Sequence, residues 1–207
     1  MERRKIKDLC TIIGLLLFSI FSFISVYYIG QNKNEVQKEE TKIEEFFEEE
    51  VEYVPEITDK SEEQEEKETK EVNYTFVLEI PSIGLKKGFY GIAHMSNTVN
   101  RNIKMLDKSD YPDVINGNVM LAAHNGNSSV SYFNKLYKMN NGDYIYLYYK
   151  GNKYSYKLNN SYDIEKNGKA LIKRDNNKST ITLITCKRNT KDKQVVYIGY
   201  LESISNY

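Results

Sequence analysis

The chain has 207 residues, with 29 basic side chains against 29 acidic ones, which leaves room for one ordinary domain plus extra segments and no more. The zero net charge is a cancellation: residues 1–30 carry four bases and two acids, 31–73 carry 17 acids and six lysines, and 74–207 carry 19 bases and ten acids. Only the last stretch, with 15 of the 18 tyrosines in 134 residues, has the pattern to fold alone, and it is long enough to close one core without a disulfide.

Arg3, Arg4, Lys5 and Lys7 open the chain, and no charged residue follows from Leu9 to Asn32. A run of that length spans a hydrocarbon core as a helix, and basic residues before it with acids after it place the N-terminus inside. The end of the run, Val26-Tyr27-Tyr28-Ile29-Gly30, has no small-residue cleavage pattern, which favours an uncleaved anchor over a signal peptide. The expectation is a cytoplasmic segment over 1–8, a transmembrane anchor over 9–30 and an exported remainder. The Glu-rich stretch 31–73 has few large apolar residues and reads as a disordered, solvated stalk. Phe46, Phe47, Val51 and Tyr53 are its one candidate helical patch.

From Tyr74 the pattern is that of strands. Thr75–Ile80 and Lys86–Tyr90 flank a Pro-Ser-Ile-Gly turn, and Ser96–Met105 has weak helical spacing. Asn118–Ala123 reads as a short buried strand launched from Asn116-Gly117, followed by a helix over Tyr132–Met139. Asp143–Tyr149 and Lys153–Leu158 form a hairpin about Gly151-Asn152, and Thr180–Thr185 pairs with Gln194–Leu201 across the polar loop 187–193. Seven to eight short strands with little helix predict a mostly β barrel or sandwich. The tyrosines from Tyr144 to Tyr156 fit a covered sheet face better than a nucleic-acid or glycan platform, because tyrosine is a good strand former.

Chemistry concentrates at two strand ends. Cys186 closes Thr182-Leu183-Ile184-Thr185-Cys186, and His124 follows Val119-Met120-Leu121-Ala122-Ala123. A thiol at a sheet rim with an imidazole nearby is a nucleophile with an acid/base partner. The only other cysteine is Cys10, far away in the N-terminal run, and the only other histidine is His94. No cluster has metal-ligand spacing, so neither a metal nor another cofactor is expected.

The string TLITC resembles the T-L-x-T-C signature of sortases, the bacterial transpeptidases that attach exported proteins to the cell wall. IPSIGL at 80–85 resembles the family's early strand motif. His124, with an apolar strand before it and a Ser/Asn-rich loop and Tyr132-Phe133-x-x-Leu136 after it, fits the family's histidine. The layout of anchor, polar stalk and C-terminal β domain is also similar.

The resemblance implies a closed sortase-like β-barrel over 74–207. It implies that Cys186 attacks an LPXTG-like sorting signal on an exported protein to form a thioester, which an amine of a peptidoglycan precursor resolves. His124 would protonate the leaving amine and deprotonate the incoming one. Thr185 of the signature and Gln194 would contact the signal, and Ala170, Leu171 and Ile172 of the stretch 159–179 either line the pocket for its leucine or form a short buried rung. Two departures stand out. Ala123 precedes the histidine where the family commonly has glycine, and Gln194 occupies the place of the family's arginine, with Arg188 the nearest catalytic substitute. The short 159–179 stretch and the single apolar run point to a class A- or D-like enzyme rather than a class B or pilin-type one. Some members bind calcium through acidic loops, but no carboxylate cluster in this domain makes that case. Two other readings stay open: a cysteine protease that hydrolyses its acyl-enzyme, and a non-catalytic wall-binding module using the basic domain.

Overall fold

The computed structural model describes residues 2–49 and 73–207, with side chains from residue 17 in the first segment. Val51 and Tyr53 of the candidate helical patch, and the Cys10 side chain, lie outside the described residues. The chain divides into two compact units, Met1–Thr41 and Lys42–Tyr207.

Helix α1 runs over Glu2–Glu49, through the apolar run and into the acidic stretch read as a disordered stalk. The expected transmembrane span is not supported: among the described residues no helix is long and apolar enough to cross a membrane. The described side chains of the apolar run cover only residues 17–30, and from Lys33 the same helix is heavily charged. The last turns of α1 belong to the second unit. There Ile43 and Phe46 are buried with Tyr74, Val77 and Tyr148, and the Phe47 ring meets Tyr148 and Tyr207 edge-on at 5.0 and 4.9 Å. Alternating apolar residues in a mostly acidic helix thus give it one face that packs.

The second unit is one eight-stranded sheet in the order β2-β1-β5-β6-β8-β7-β4-β3, bent into a nearly closed barrel. The strands are β1 (Phe76–Ile80), β2 (Leu85–Phe89), β3 (Lys104–Met105), β4 (Asn118–Ala122), β5 (Tyr144–Tyr149), β6 (Asn152–Glu165), β7 (Thr180–Cys186) and β8 (Lys193–Asn206). All pairings are antiparallel except β4 with β7. Beyond the edge strand β2, the Asn102 amide donates to Gly88 O at 3.0 Å, tying β2 to the segment that leads into β3.

Alternation along the strands sorts side chains to two faces. Ile181, Leu183, Val119, Leu121 and Tyr197 point into the barrel, with Phe76, Phe89 and Tyr149 stacked deeper in the same core. Ile184, Val196 and Ile198 point outward and form a second apolar cluster with Ala122, Leu106, Tyr162, Ile164, Ile172 and Tyr200.

Several expected elements take another form. The segment Tyr132–Met139 holds one 3₁₀ turn, Leu136–Lys138, because Phe133 and Leu136 are fully buried and the chain follows the core rather than a helical period. Ser96–Met105 is a series of turns ending in β3; there Asn97 bonds Met105 through both ends of its amide. The β5–β6 hairpin turns on Lys150-Gly151, both with positive φ (47° and 68°), so Tyr149 pairs with Asn152. That is the left-handed pair a two-residue hairpin turn needs. Residues 159–165, read as the start of a loop, extend β6 along β8.

Candidate active site

Two parallel strands set the site. In the β4–β7 ladder Val119 faces Ile181 and Ala122 faces Ile184, and Ala123 N continues it to Ile184 O at 3.3 Å. Carried on, this register sets His124 level with Cys186. The turn before β4 fixes where that strand begins. Asn116 is left-handed (φ 56°), and a Cβ on Gly117 would lie 2.9 Å from both Asp110 Cβ and Val114 O, so glycine is required for close approach.

The period of two sets the direction of each side chain. Cys186 shares the outer face with Ile184 and Thr182, while Thr185 points inward, 3% exposed, and its Oγ1 donates to Ala123 O at 2.8 Å. Thr185 therefore ties the end of β7 to the residue that follows β4, next to the two candidate residues. Two asparagines complete the frame. The Asn125 amide donates to Cys186 O at 2.7 Å, and Asn100 Oδ1 lies 3.1 Å from His124 Nε2. The recorded bond of the imidazole therefore goes to Asn100. Cys186 is a free, partly exposed thiol.

The two candidates for the arginine's task are in different places. Gln194 is the cross-strand partner of Cys186 in the β7–β8 ladder and shares its face. Arg188 is not on a continuing strand: Lys187 N still pairs with Lys193 O at 2.9 Å, but the chain then turns through Asn189, whose φ is 59°. The Arg188 guanidinium lies 4.3 Å over the Tyr137 ring. Of the other arginines, Arg174 donates to Asn116 O, Lys178 O and Thr180 Oγ1, which fastens it to the start of β7, the end away from Cys186.

On the outer face the β6–β7 segment crosses the apolar cluster. Ile172 packs into that cluster, whereas Ala170 and Leu171 are exposed, Leu171 at 69%. Two tyrosine hydroxyls hold this segment down. Tyr162 OH donates to Leu171 O at 3.0 Å and accepts from Lys173 N at 2.7 Å, and Tyr200 OH accepts from Asp175 N at 3.0 Å. Burial is the main cause pushing the Tyr162 phenol above its ordinary range. A polar cleft of about 380 Å³ opens beside Asn125, lined by Asn134, Lys135, Tyr137, Lys138 and Arg188 among others. Among the described residues, no group of three or more His, Cys, Asp or Glu could hold a metal ion.

Sequence reading missed Asn100, Asn125, Tyr162 and Tyr200. Asn125 was within reach, being next to His124 in a visibly polar loop. Asn100 and Tyr200 act across 24 and 25 residues, and Tyr162 reaches across 9 and 11 into an irregular segment, so none of them leaves a local pattern.

Comparison with known proteins agrees with the fold. The family profile described as Sortase domain matches residues 78–202. No curated protein matches the chain significantly. Among solved structures, Listeria monocytogenes sortase A is 24% identical with a TM-score of 0.54, covering 65% of this chain and 90% of that one. A lid mutant of Corynebacterium diphtheriae sortase A is 20% identical with a TM-score of 0.57, covering 65% and 73%. The Clostridium perfringens Sortase D5 transpeptidase is 20% identical with a TM-score of 0.53, covering 63% and 80%. With the family's profile matched over most of the barrel and the barrel itself shared, the chain belongs to the sortase family.

Proposed function

We propose that the protein is a membrane-tethered cysteine transpeptidase that cleaves an LPXTG-like sorting signal on exported proteins and passes the acyl group to a cell-wall amine. The observation that carries this reading is the parallel register that brings His124 level with Cys186 at the rim of the sheet. Cys186 passes its thiol proton to His124 and its Sγ attacks the scissile carbonyl, and a carbon–sulfur bond forms as the carbon–nitrogen bond breaks. The leaving amine takes its proton from His124. In the second step an incoming neutral amine attacks the thioester carbon. The new carbon–nitrogen bond expels the thiolate with its electron pair, and His124 accepts the amine's proton. With Asn100 Oδ1 accepting from Nε2, Nδ1 is the ring nitrogen left to take up a proton.

The tetrahedral oxyanion needs a donor beside the sulfur. The ladder pairing supports the Gln194 carboxamide in that task, whereas the Arg188 guanidinium, stacked on Tyr137, serves the polar cleft. The outer apolar cluster with Ile172 is the natural seat for the signal's leucine. Thr185 acts as a positioning residue through its bond to Ala123 O. The anchor is proposed from the uncharged stretch of residues 9–32 and the bases that precede it, which would place the enzyme at the cell surface with its barrel outside. A class A- or D-like enzyme remains the assignment favoured by the short β6–β7 connection.

The test is intermediate trapping. Incubated with an LPXTG-like peptide and no amine, the protein should gain the mass of the N-terminal peptide fragment and release the C-terminal one. Cys186→Ala should do neither. Release of the C-terminal fragment by the alanine variant at the wild-type rate would sink the reading.

A further inference from the structure

We propose that the polar cleft flanking Cys186 selects an acceptor amine that itself carries an oxyanion, a carboxylate in the simplest case. The proposal rests on the transpeptidase reading and gives the second substrate its chemical class.

The site has two sides of opposite character. The outer face around Ile184, Val196 and Ile198 is apolar and is crossed by the segment bearing Ile172. On the other side Asn125 joins the catalytic pair to the cleft, because its amide bonds Cys186 O at 2.7 Å while the residue also lines the cavity. An apolar signal and a second substrate must meet at one thioester carbon, so the unoccupied polar side is the approach left for the amine.

That cleft is cationic. Lys135, Lys138 and Arg188 line it, its remaining lining residues are neutral, and no carboxylate is among them. The charges lie around one ring, with Arg188 Cζ 4.3 Å and Lys138 Nζ 5.9 Å from the centroid of Tyr137. The ring holds a guanidinium through cation–π attraction and leaves its fork of N–H donors for a planar oxyanion.

The charge has a consequence for the reaction. A cleft of three cations repels an ammonium ion, so a bare amine enters poorly. A carboxylate on the same molecule reverses the sign of that interaction and brings the amine to the thioester as a tethered neighbour. Asn134 and Asn125 are there to supply neutral hydrogen bonds to the rest of the acceptor.

The experiment compares a diamino acid carrying a free carboxylate with its carboxamide as acceptors. It follows the ratio of aminolysis to hydrolysis of the preformed acyl-enzyme. The wild-type protein should show a KM for the carboxylate form at least about tenfold lower than for the amide, and the gap should narrow as salt rises toward about 0.5 M. In Lys135→Ala/Lys138→Ala the preference should shrink to about twofold or less, through a rise in KM for the carboxylate acceptor alone. Equal KM values in the wild-type protein, or a preference that survives the double substitution and high salt, would overturn the proposal. Failure of the underlying reading has a different signature, since thioester formation is measured before any amine is added.

Discussion

The two ends of β7 are built from the same ladder and do opposite things. At its start, Thr180 N bonds Gly117 O at 2.9 Å, Thr180 Oγ1 bonds Lys178 O at 2.8 Å, and Arg174 ties three acceptors together. At its end, the strand stops on a partly exposed thiol, and Gln194, His124 and Arg188 are partly or fully open to solvent. At the start the polar side chains hold the strand, whereas at the end only Thr185 and Asn125 do so and Cys186 and Gln194 are left partly exposed. At the open end the fully buried Ile181 and Leu183, with the bonds from Thr185 Oγ1 to Ala123 O and from the Asn125 amide to Cys186 O, keep the strand in register while Cys186 and Gln194 face outward.

The contrast is tested most severely at Cys186 itself. Cys186→Ala should abolish transpeptidation while the melting temperature moves by no more than about 4 °C, since a partly exposed sulfur contributes little packing. Loss of folding by circular dichroism would mean that the open end carries stability after all.

The next largest effect separates two donors. Gln194→Ala should slow acylation by about 10² to 10³, the usual loss for an oxyanion donor, while Arg188→Ala should change it by less than about threefold. The reverse ranking in single-turnover peptide cleavage would move the oxyanion task to Arg188. It would also show that the guanidinium leaves Tyr137 when substrate binds.

At the closed end the expected effect is on stability. Arg174→Ala strips three acceptors of one partner, and because the side chain is partly exposed, water replaces part of the loss. The cost should be about 1–2 kcal/mol, with activity per folded molecule unchanged. A thermal melt paired with active-site titration by a thiol reagent measures both. A drop in thioester yield without a shift in melting would show that the two ends are coupled.

How much of this was legible in the sequence follows from range. The strands of the candidate site, β4 and β7, announce themselves as short apolar runs, with His124 and Cys186 as the candidate residues at their ends. The parallel pairing that sets those two residues level cannot be read locally, because 64 residues separate the bonded side chains of Asn118 and Thr182. Two residues beyond Cys186, Arg188 would share its face only if the strand ran on. Two-residue alternation holds only while a strand continues, and the left-handed Asn189 ends it. The helix expected over Tyr132–Met139 failed because its apolar spacing came from burying Phe133 and Leu136, not from a helical face.

The smallest expected effect concerns the strap over the outer face. Tyr162 OH bonds Leu171 O and Lys173 N, on either side of Ile172, so one hydroxyl sets where that isoleucine meets the apolar cluster. Tyr162→Phe keeps the ring in the cluster and removes both bonds. Each exposed backbone group recovers a water, so stability should fall by only about 0.5–1 kcal/mol. The loss should appear instead as disorder of the segment, raising the KM for the sorting peptide about three- to fivefold with the acylation rate at saturation unchanged. The wild-type protein should reproduce part of this at high pH, where the phenolate loses its bond to Leu171 O and keeps the one from Lys173 N. Burial raises the phenol's pKa in the folded state, so the contribution of the bond to Leu171 O is complete below the ordinary tyrosine value of about 10 and is lost as pH climbs through the higher folded value. The KM of the wild-type protein should therefore rise in that alkaline range while that of Tyr162→Phe stays flat. A variant whose KM equals the wild-type value at neutral pH would show that Ile172 is held by its apolar contacts alone.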